Sequence, residues 1–495
     1  MSDTKIALGR GERGPRGHAG PTGPTGPTGL LESAFSPTFN TIYVRPNGND
    51  SSGTGSITSP FATLQRAVLA VPLIVSAGQI YRIDITGITE ALPSDYALPA
   101  WKTWATENPN APGPITNFQT GIEIYAQPQP VAALTSAETV INAVDVASTT
   151  QDPITELWTI NLTVPRPDWT TANLLGKQVL DGSGNPNNHA VVGRVNSTSS
   201  ILITNTVAPT FPLQLVEPSA TLHGSATNYG TIVANNIDNM GFTGVRILSD
   251  NDETGLMAAG SGNCICQFCE LQSPSLLQQS GSVFYAQANR VLRSWTYDFP
   301  TFSGVIGIVQ GLMQNCTPNS NFGAPFFCAP TDVTVRRAVF TGCDPIEVTT
   351  YDPGGAVDPA SATHINVQNT LVTLGTSDGM DFHGVRALVQ NVDFAANTGN
   401  GITVSNGAGL LALQDVGSSV ANVGAYGLQI SDGMQVTADA ATTGNATPLA
   451  GATNQVKVGG LAAQTWASVA IVFAAGDGVP DYTGATATGA RLASS

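Results

Sequence analysis

The chain is poor in charge, in aromatics and above all in basic residues. Only 11% of its 495 residues are charged and 7% are aromatic. It carries 19 basic against 35 acidic residues, a net charge of −16, with no block of Lys or Arg. That balance argues against a nucleic-acid partner or an anionic membrane surface. No run reaches the roughly 18 consecutive apolar residues of a membrane helix, so no membrane insertion is expected. Met1 to Arg10 lacks the apolar core of a secretory signal. Ordinary secretion is disfavoured, and release by lysis, a dedicated export machine or assembly inside the producing cell is expected instead.

What the chain does have is a countable repeat. Ile247, Leu271, Leu292, Met313, Val335, Val367, Val389 and Leu413 each open a short polar tripeptide. The spacing is nearly constant except for one lengthened step, from Val335 to Val367. A fainter series starting at Asp378, Asn400 and Tyr426 advances at a similar interval. Periods of roughly 20–50 residues mean that each repeat buries its apolar face by stacking on its neighbours. A leucine-rich repeat has a similar period. Residue choice separates the two. Val333-Thr334-Val335, Ile365-Asn366-Val367 and Ile402-Thr403-Val404 alternate apolar with small or polar residues and lack helical spacing. Gly, Asn, Asp and Ser between them supply bends. About three such strands per repeat give a right-handed parallel β-helix, a solenoid rising about 4.8 Å per coil. Asn369, Asn391 and Asp415 share one register in the tripeptides. They read as a structural ladder of stacked, hydrogen-bonded side chains at a bend.

The same register tests the cysteines. Cys264, Cys266 and Cys269 form a C-x-C-x-x-C run, and Cys316, Cys328 or Cys343 could add a fourth thiolate for zinc. Counted from the tripeptide starts they fall in different columns, so buried thiols are expected and no metal. No cofactor is expected either.

In chain order, the first feature is a glycine at every third position: Gly11, Gly14, Gly17, Gly20, Gly23, Gly26 and Gly29, with three copies of Gly-Pro-Thr. Only glycine fits at the axis of three polyproline-type chains. The pattern resembles the collagen-like stalks of bacterial spore surfaces and phage fibres. It covers six triplets, so it reads either as a flexible linker or as a triple-helical stalk held by trimerisation of the body it carries.

Ile42-Tyr43-Val44-Arg45-Pro46-Asn47-Gly48-Asn49-Asp50, followed by Ser59-Pro60-Phe61-Ala62-Thr63-Leu64-Gln65-Arg66-Ala67-Val68, resembles the opening of pectin-lyase-like β-helix proteins. The resemblance implies a strand, a turn and a capping helix. Ser59 suits the N-cap, Pro60 the first helical position, and Phe61, Leu64 and Val68 make an apolar stripe. Such a helix would plug the open end of the solenoid. Asn47, Asn49 and Asp50 read as a turn rather than a calcium site. A Pro-rich loop between two strands then carries Tyr96, Trp101 and Trp104, which would either stack on sugar rings or pack within the protein.

From about 150 to 222 the repeat fails, and strands such as Leu157 to Leu162 and Ala190 to Val195 point to a small antiparallel β insertion. Coils resume near Tyr229 and run to Lys457, with a loop-bearing coil between Val335 and Val367, and the tail from Gly459 reads as a closing cap. The expected organisation is thus a stalk over 1–31, a cap and first coils over 32–149, the insertion over 150–222, the main coils over 223–458 and a cap and tail over 459–495.

Thr376-Ser377-Asp378-Gly379-Met380-Asp381-Phe382-His383-Gly384 is similar to the Asn-Thr-Asp-Gly stretch of polygalacturonase-type glycosidases. Alternation puts Met380 and Phe382 inward, and Asp381 and His383 outward. Glycoside hydrolysis needs two carboxylates. Yet one repeat beyond Asp378 and Asp381 stand Asn400 and Thr403, and the family's Gly-His-Gly and Arg-x-Lys signatures are absent. Asp378, Asp381 and His383 are therefore candidates without a complete set. The expectation is a structural or adhesive fibre or spike, homotrimeric, on the surface of a virion, spore or other assembly, binding a polysaccharide or receptor. The alternative is a tailspike-type polysaccharide depolymerase.

Overall fold

In the computed structural model the chain falls into two units, Met1–Ser36 and Pro37–Ser495. It describes residues 38–251 except 77, 104–120, 184–187 and 228, and, from 254 to 494, the strands and their adjoining turn residues. The seven glycines of the triplets, Gly11 to Gly29, lie outside the described residues, as do Trp104 and Asp378.

The second unit is nearly all β. Its main sheet is a stack of parallel strands, each paired in register with a strand of the next repeat. One column runs through it as backbone partners: Ile42, Ile83, Ile124, Phe242, Cys266, Ala286, Val309, Val335, Val367, Val389, Leu413 and Ala438. From Ile83 to Cys266, and again at Val335, Val367, Val389 and Leu413, these side chains are buried. The tripeptide series does not follow one column: Ile247 partners Leu271, whose column continues through Val291, Met313 and Phe340, whereas Val335, Val367, Val389 and Leu413 stand in the column above, which keeps the lengthened step between Val335 and Val367. Shorter parallel sheets run beside it. One holds Tyr96–Ala97, Ile232–Asn235, Leu256–Ala259 and Ser275–Leu277, and another holds six strands from Phe326–Cys328 to Asn454–Val458. Strands alternate inward and outward, as in Val245–Ser249, where Val245, Ile247 and Ser249 are buried and the residues between are not.

A left-handed residue recurs at one place in the repeat. Two positions after the column stand Gly244, Phe268, Arg337, Asn369 and Asn391, with φ of +67°, +54°, +49°, +49° and +54°. Pairing skips them: Arg336 partners Gln368 and Ala338 partners Thr370, leaving Arg337 and Asn369 out of the ladder. Glycine and asparagine enter this conformation readily, and arginine and phenylalanine do not. The asparagines at this register thus have a backbone reason to be there. The side chain of Asn369 does not run up the stack: Nδ2 donates to Glu156 Oε2 at 2.9 Å, across to the insertion. Asn391 keeps the register, and the side chain of Asp415 is outside the described residues.

The capping helix is Leu64–Val68, shorter than expected and starting later. Its N-cap is Thr63, whose side chain accepts from Arg66 N–H, rather than Ser59. The reason is Asp50. Its carboxylate accepts from the N–H groups of Ala62 and Thr63 at 2.7 and 3.1 Å and from the Thr63 hydroxyl, holding the segment extended until Leu64. Asn49 caps the neighbouring turn by accepting from Ser51 and Ser52. Phe61, Leu64 and Val68 are buried, so the apolar stripe faces the core.

The insertion leaves the main stack after Gly121–Tyr125 and returns at Ala220–Gly224. Its strands are antiparallel, in an eight-stranded sheet with a core of its own around Ile160, Trp169, Val192, Ile201 and Leu215. It begins before the expected boundary at 150. Gln129–Pro130, Val140–Ile141 and Val146–Gln151 already belong to it, and the first two are too short to carry an alternating pattern. The exit point is tight: a Cβ on Gly244 would lie 2.0 Å from the Ala126 carbonyl oxygen.

Cys264, Cys266 and Cys269 are buried in the core and form no disulfide. Burial pushes the Cys269 thiol up to about 12, and Cys266 is pushed up by its hydrogen bond with Cys264 and then by burial. An unfolded thiol ionises near about 8.5, so Cys266 and Cys269 stay neutral in the fold and their ionisation on unfolding lowers stability as pH rises past that value. Iodoacetamide at alkaline pH is expected to leave the three unmodified in native protein and to alkylate them in urea, read by peptide mass spectrometry. Phe242→Ala, which empties a fully buried column position, is expected to cost about 3–5 kcal/mol in denaturant unfolding.

Candidate functional site

The described residues of the expected catalytic stretch form the strand Met380–His383. Met380 and Phe382 are buried, and Asp381 and His383 occupy the alternate positions of the strand. Forward in the sheet, Asp381 and His383 partner Thr403 and Ser405. Backward, they partner Glu347 and Thr349. Glu347 and Asp381 are therefore carboxylate residues on adjacent parallel strands at one register. A search of the sequence at constant period misses Glu347, because the extra loop in that repeat lengthens the step to Asp381.

Of the aromatics that would either stack on sugar rings or pack within the protein, Trp101 packs within it, and Trp104 lies outside the described residues. Trp101 is 1% exposed, packed in the core of the first repeats, and its ring is unavailable for stacking on a sugar. Tyr96 is half-buried in Tyr96–Ala97, and burial, with the charge of Glu90, pushes its hydroxyl up to about 12.

A cleft that the sequence did not disclose lies where the insertion meets the repeats. Leu157, Val191 and Leu202 of the insertion pack on Phe268, Val339 and Leu371, and a Cβ on Gly193 would come within 2.5 Å of Val339 Cγ2. Beside this seam is a cavity of about 450 Å³ lined by Thr206, Arg336, Arg337, Gln368 and Asn369. Arg336 and Gln368 are register partners on Thr331–Thr341 and His364–Thr373, so adjacent repeats present them side by side. Arg337 and Asn369 are the left-handed residues next to them. Thr206 comes from the insertion, in a segment held by Trp158 Nε1, which donates to the Thr206 carbonyl at 3.2 Å. Arg336 Nε is buried without a hydrogen-bond partner among the described residues. The nearest signal in the sequence was Arg336-Arg337 itself, in a chain with few cations.

A second hollow, of about 250 Å³, lies on the outer face of the main sheet beside Phe39, Arg82, Glu123 and Gln267. Its cation is already engaged. Arg82 Nε pairs with Glu123 at 2.8 Å, and its guanidinium lies 4.5 and 4.4 Å from the Phe39 and Tyr125 ring centres. No group of three or more metal-ligating side chains occurs among the described residues. No helix among them is long and apolar enough to cross a membrane.

No protein-family profile and no curated protein sequence matches the chain. Among solved structures it is similar to the tailspike protein gp49 from Pseudomonas phage LKA1, with 12% identity, a TM-score of 0.25 and 86% of this chain and 77% of that one covered. XylC in complex with xylose gives 8% identity and a TM-score of 0.24 over 81% and 68% of the two chains. Gp54 tailspike of Acinetobacter baumannii bacteriophage AP22, in complex with a capsular saccharide, gives 10% and 0.17 over 83% and 71%. At such TM-scores these likenesses assign neither a fold nor an activity to this chain.

The insertion is anchored to the repeats by charge as well as by packing. Glu217 Oε2 pairs with Lys177 Nζ, Glu217 Oε1 accepts from Ala132 N–H at 2.9 Å, and Arg246 bridges to Glu217 and Glu270 at 3.9 and 3.4 Å. Burial pushes the Glu217 carboxyl up, but the hydrogen bonds from Lys177 and Ala132 and the charges of Lys177 and Arg246 outweigh it and hold the group below the usual carboxylate range. A depressed folded value stabilises fully above the unfolded carboxylate range near about 4.3, and the stabilisation is lost as pH falls through the folded value. Glu217→Gln is expected to lower stability by about 3 kcal/mol at pH 7, with the gap to the unsubstituted protein closing as thermal unfolding is followed from pH 5 to pH 2.

Proposed function

We propose that the chain is a surface fibre or spike protein that binds polysaccharide. A right-handed parallel β-helix body, carried on a collagen-like stalk and assembled as a homotrimer, presents the cleft of Thr206, Arg336, Gln368 and Asn369 to a glycan on the target surface. The observation that carries this reading is the cleft. It brings planar donors and amides from a rigid stack against a loop of the insertion, and such groups match the hydroxyls and ring substituents of sugars. The glycine triplets support the trimer, since a Gly-X-Y segment of six triplets needs association of the bodies it precedes. Three clefts on one particle gain avidity for a repetitive polymer.

Full-length protein at micromolar concentration is expected to sediment at three times the chain mass, and Thr206→Trp, which fills the cleft, to lower polysaccharide binding at least tenfold. A monomer, or binding untouched by the substitution, sinks the reading. A second reading is a depolymerase of the glycoside-hydrolase kind, favoured by Glu347 and Asp381 at one register. Glycoside hydrolysis requires a pair of carboxylate residues, and these two are backbone partners on neighbouring strands. Loss of polymer size that is abolished by both Glu347→Gln and Asp381→Asn would establish it.

A further inference from the structure

The cleft is a local reversal of the chain's charge. The protein carries −16 overall and only 19 basic residues, yet two consecutive arginines line this cavity, and its other lining residues, Thr206, Gln368 and Asn369, are neutral. Glu156, whose Oε2 accepts from Asn369 Nδ2 at 2.9 Å, is not among the lining residues. At physiological ionic strength charges beyond about 8 Å are screened, so a ligand in the cavity feels the adjacent guanidinium groups before the distant acidic excess.

Two details separate this cavity from an ordinary gap at a seam. Arg336 Nε is buried with no hydrogen-bond partner among the described residues, and a buried charged donor left unmatched costs several times what an ordinary hydrogen bond contributes. Arg337 sits at φ +49°, where its neighbours in the repeat include Gly244, Asn369 and Asn391. Holding a non-glycine residue there costs about 1–3 kcal/mol. The unmatched Arg336 donor beside the cavity calls for an acceptor, and an anionic group supplies one.

Resting on the reading of the cleft as a glycan site, we propose that its ligand is an anionic saccharide, with a sugar carboxylate seated on Arg336 and the sugar hydroxyls meeting Gln368, Asn369 and Thr206. A guanidinium presents N–H donors in a planar fork that fits a carboxylate in two parallel bonds, which a neutral hydroxymethyl group cannot match. A volume of about 450 Å³ lies inside the roughly 300–1,000 Å³ range of small-ligand sites.

The test is calorimetric titration of the full-length protein with tetragalacturonate, a hyaluronan tetrasaccharide and an alginate tetrasaccharide, each beside its carboxyl-reduced form. Arg336→Gln and Thr206→Trp are titrated in parallel, and thermal unfolding of each variant verifies its fold. The expected result is that at least one acidic form binds tenfold or more tighter than its reduced form. Arg336→Gln is expected to erase that difference, Arg336→Lys to restore it in part, and added salt to weaken the acidic ligand alone. Equal binding of acidic and reduced forms, lost in Thr206→Trp, would overturn the anionic assignment and leave the glycan cleft standing. Absence of binding by any of the six saccharides, or acidic binding that survives Thr206→Trp, would overturn both. A sulfated tetrasaccharide that binds where no carboxylated one does would also overturn the carboxylate assignment.

Discussion

Everything in this protein depends on one constraint: each strand of the main stack must pair in parallel and in register with the strand of the next repeat. A one-residue slip would turn every inward side chain outward, so the column from Ile83 to Leu413 fixes the backbone as firmly as it fills the core. The chain is free to vary only where it leaves the stack. The long excursion between Ile124 and Phe242 and the lengthened step between Val335 and Val367 both rejoin the column without disturbing it. Extra length is extruded sideways.

The left-handed bend is the second consequence. Two positions after the column the backbone must turn the strand aside, and it does so by the same positive φ in five described repeats. Gly244 meets the demand together with close approach to Ala126, and Asn369 and Asn391 meet it by conformational tolerance. Arg337 and Phe268 meet it at a cost. Both lie under the insertion, Phe268 in the apolar seam and Arg337 in the cleft beside it. Strain is thus placed where the inserted sheet covers the stack.

The insertion makes the cleft possible. A plain stack offers a flat ladder, and the hollow beside Phe39 and Arg82 holds a cation already matched by Glu123. A wall appears only because a sheet with its own core docks beside the bend, held by Leu157, Val191 and Leu202 at the seam and by the Glu217 charge network at the stem. Polar side chains that would be solvated on an open stack become lining residues with partly desolvated donors, where electrostatic matching counts for more.

The sequence by itself determined the local and periodic features. The repeat, the strand character, the buried Cys264, Cys266 and Cys269, the stripe of Phe61, Leu64 and Val68, and the existence of an antiparallel insertion all follow from side-chain alternation and regular spacing, which are short-range properties. Contacts over long separations were decided only by the tertiary structure. Asp50 moved the helix start from Ser59 to Thr63, core packing took Trp101 out of any binding surface, and a loop hid the Glu347 and Asp381 register from a search at constant period. The cleft needed Thr206 and Arg336 brought together from elements far apart in the chain. No periodicity encodes that meeting, because it depends on where an independently packed sheet comes to rest on the stack.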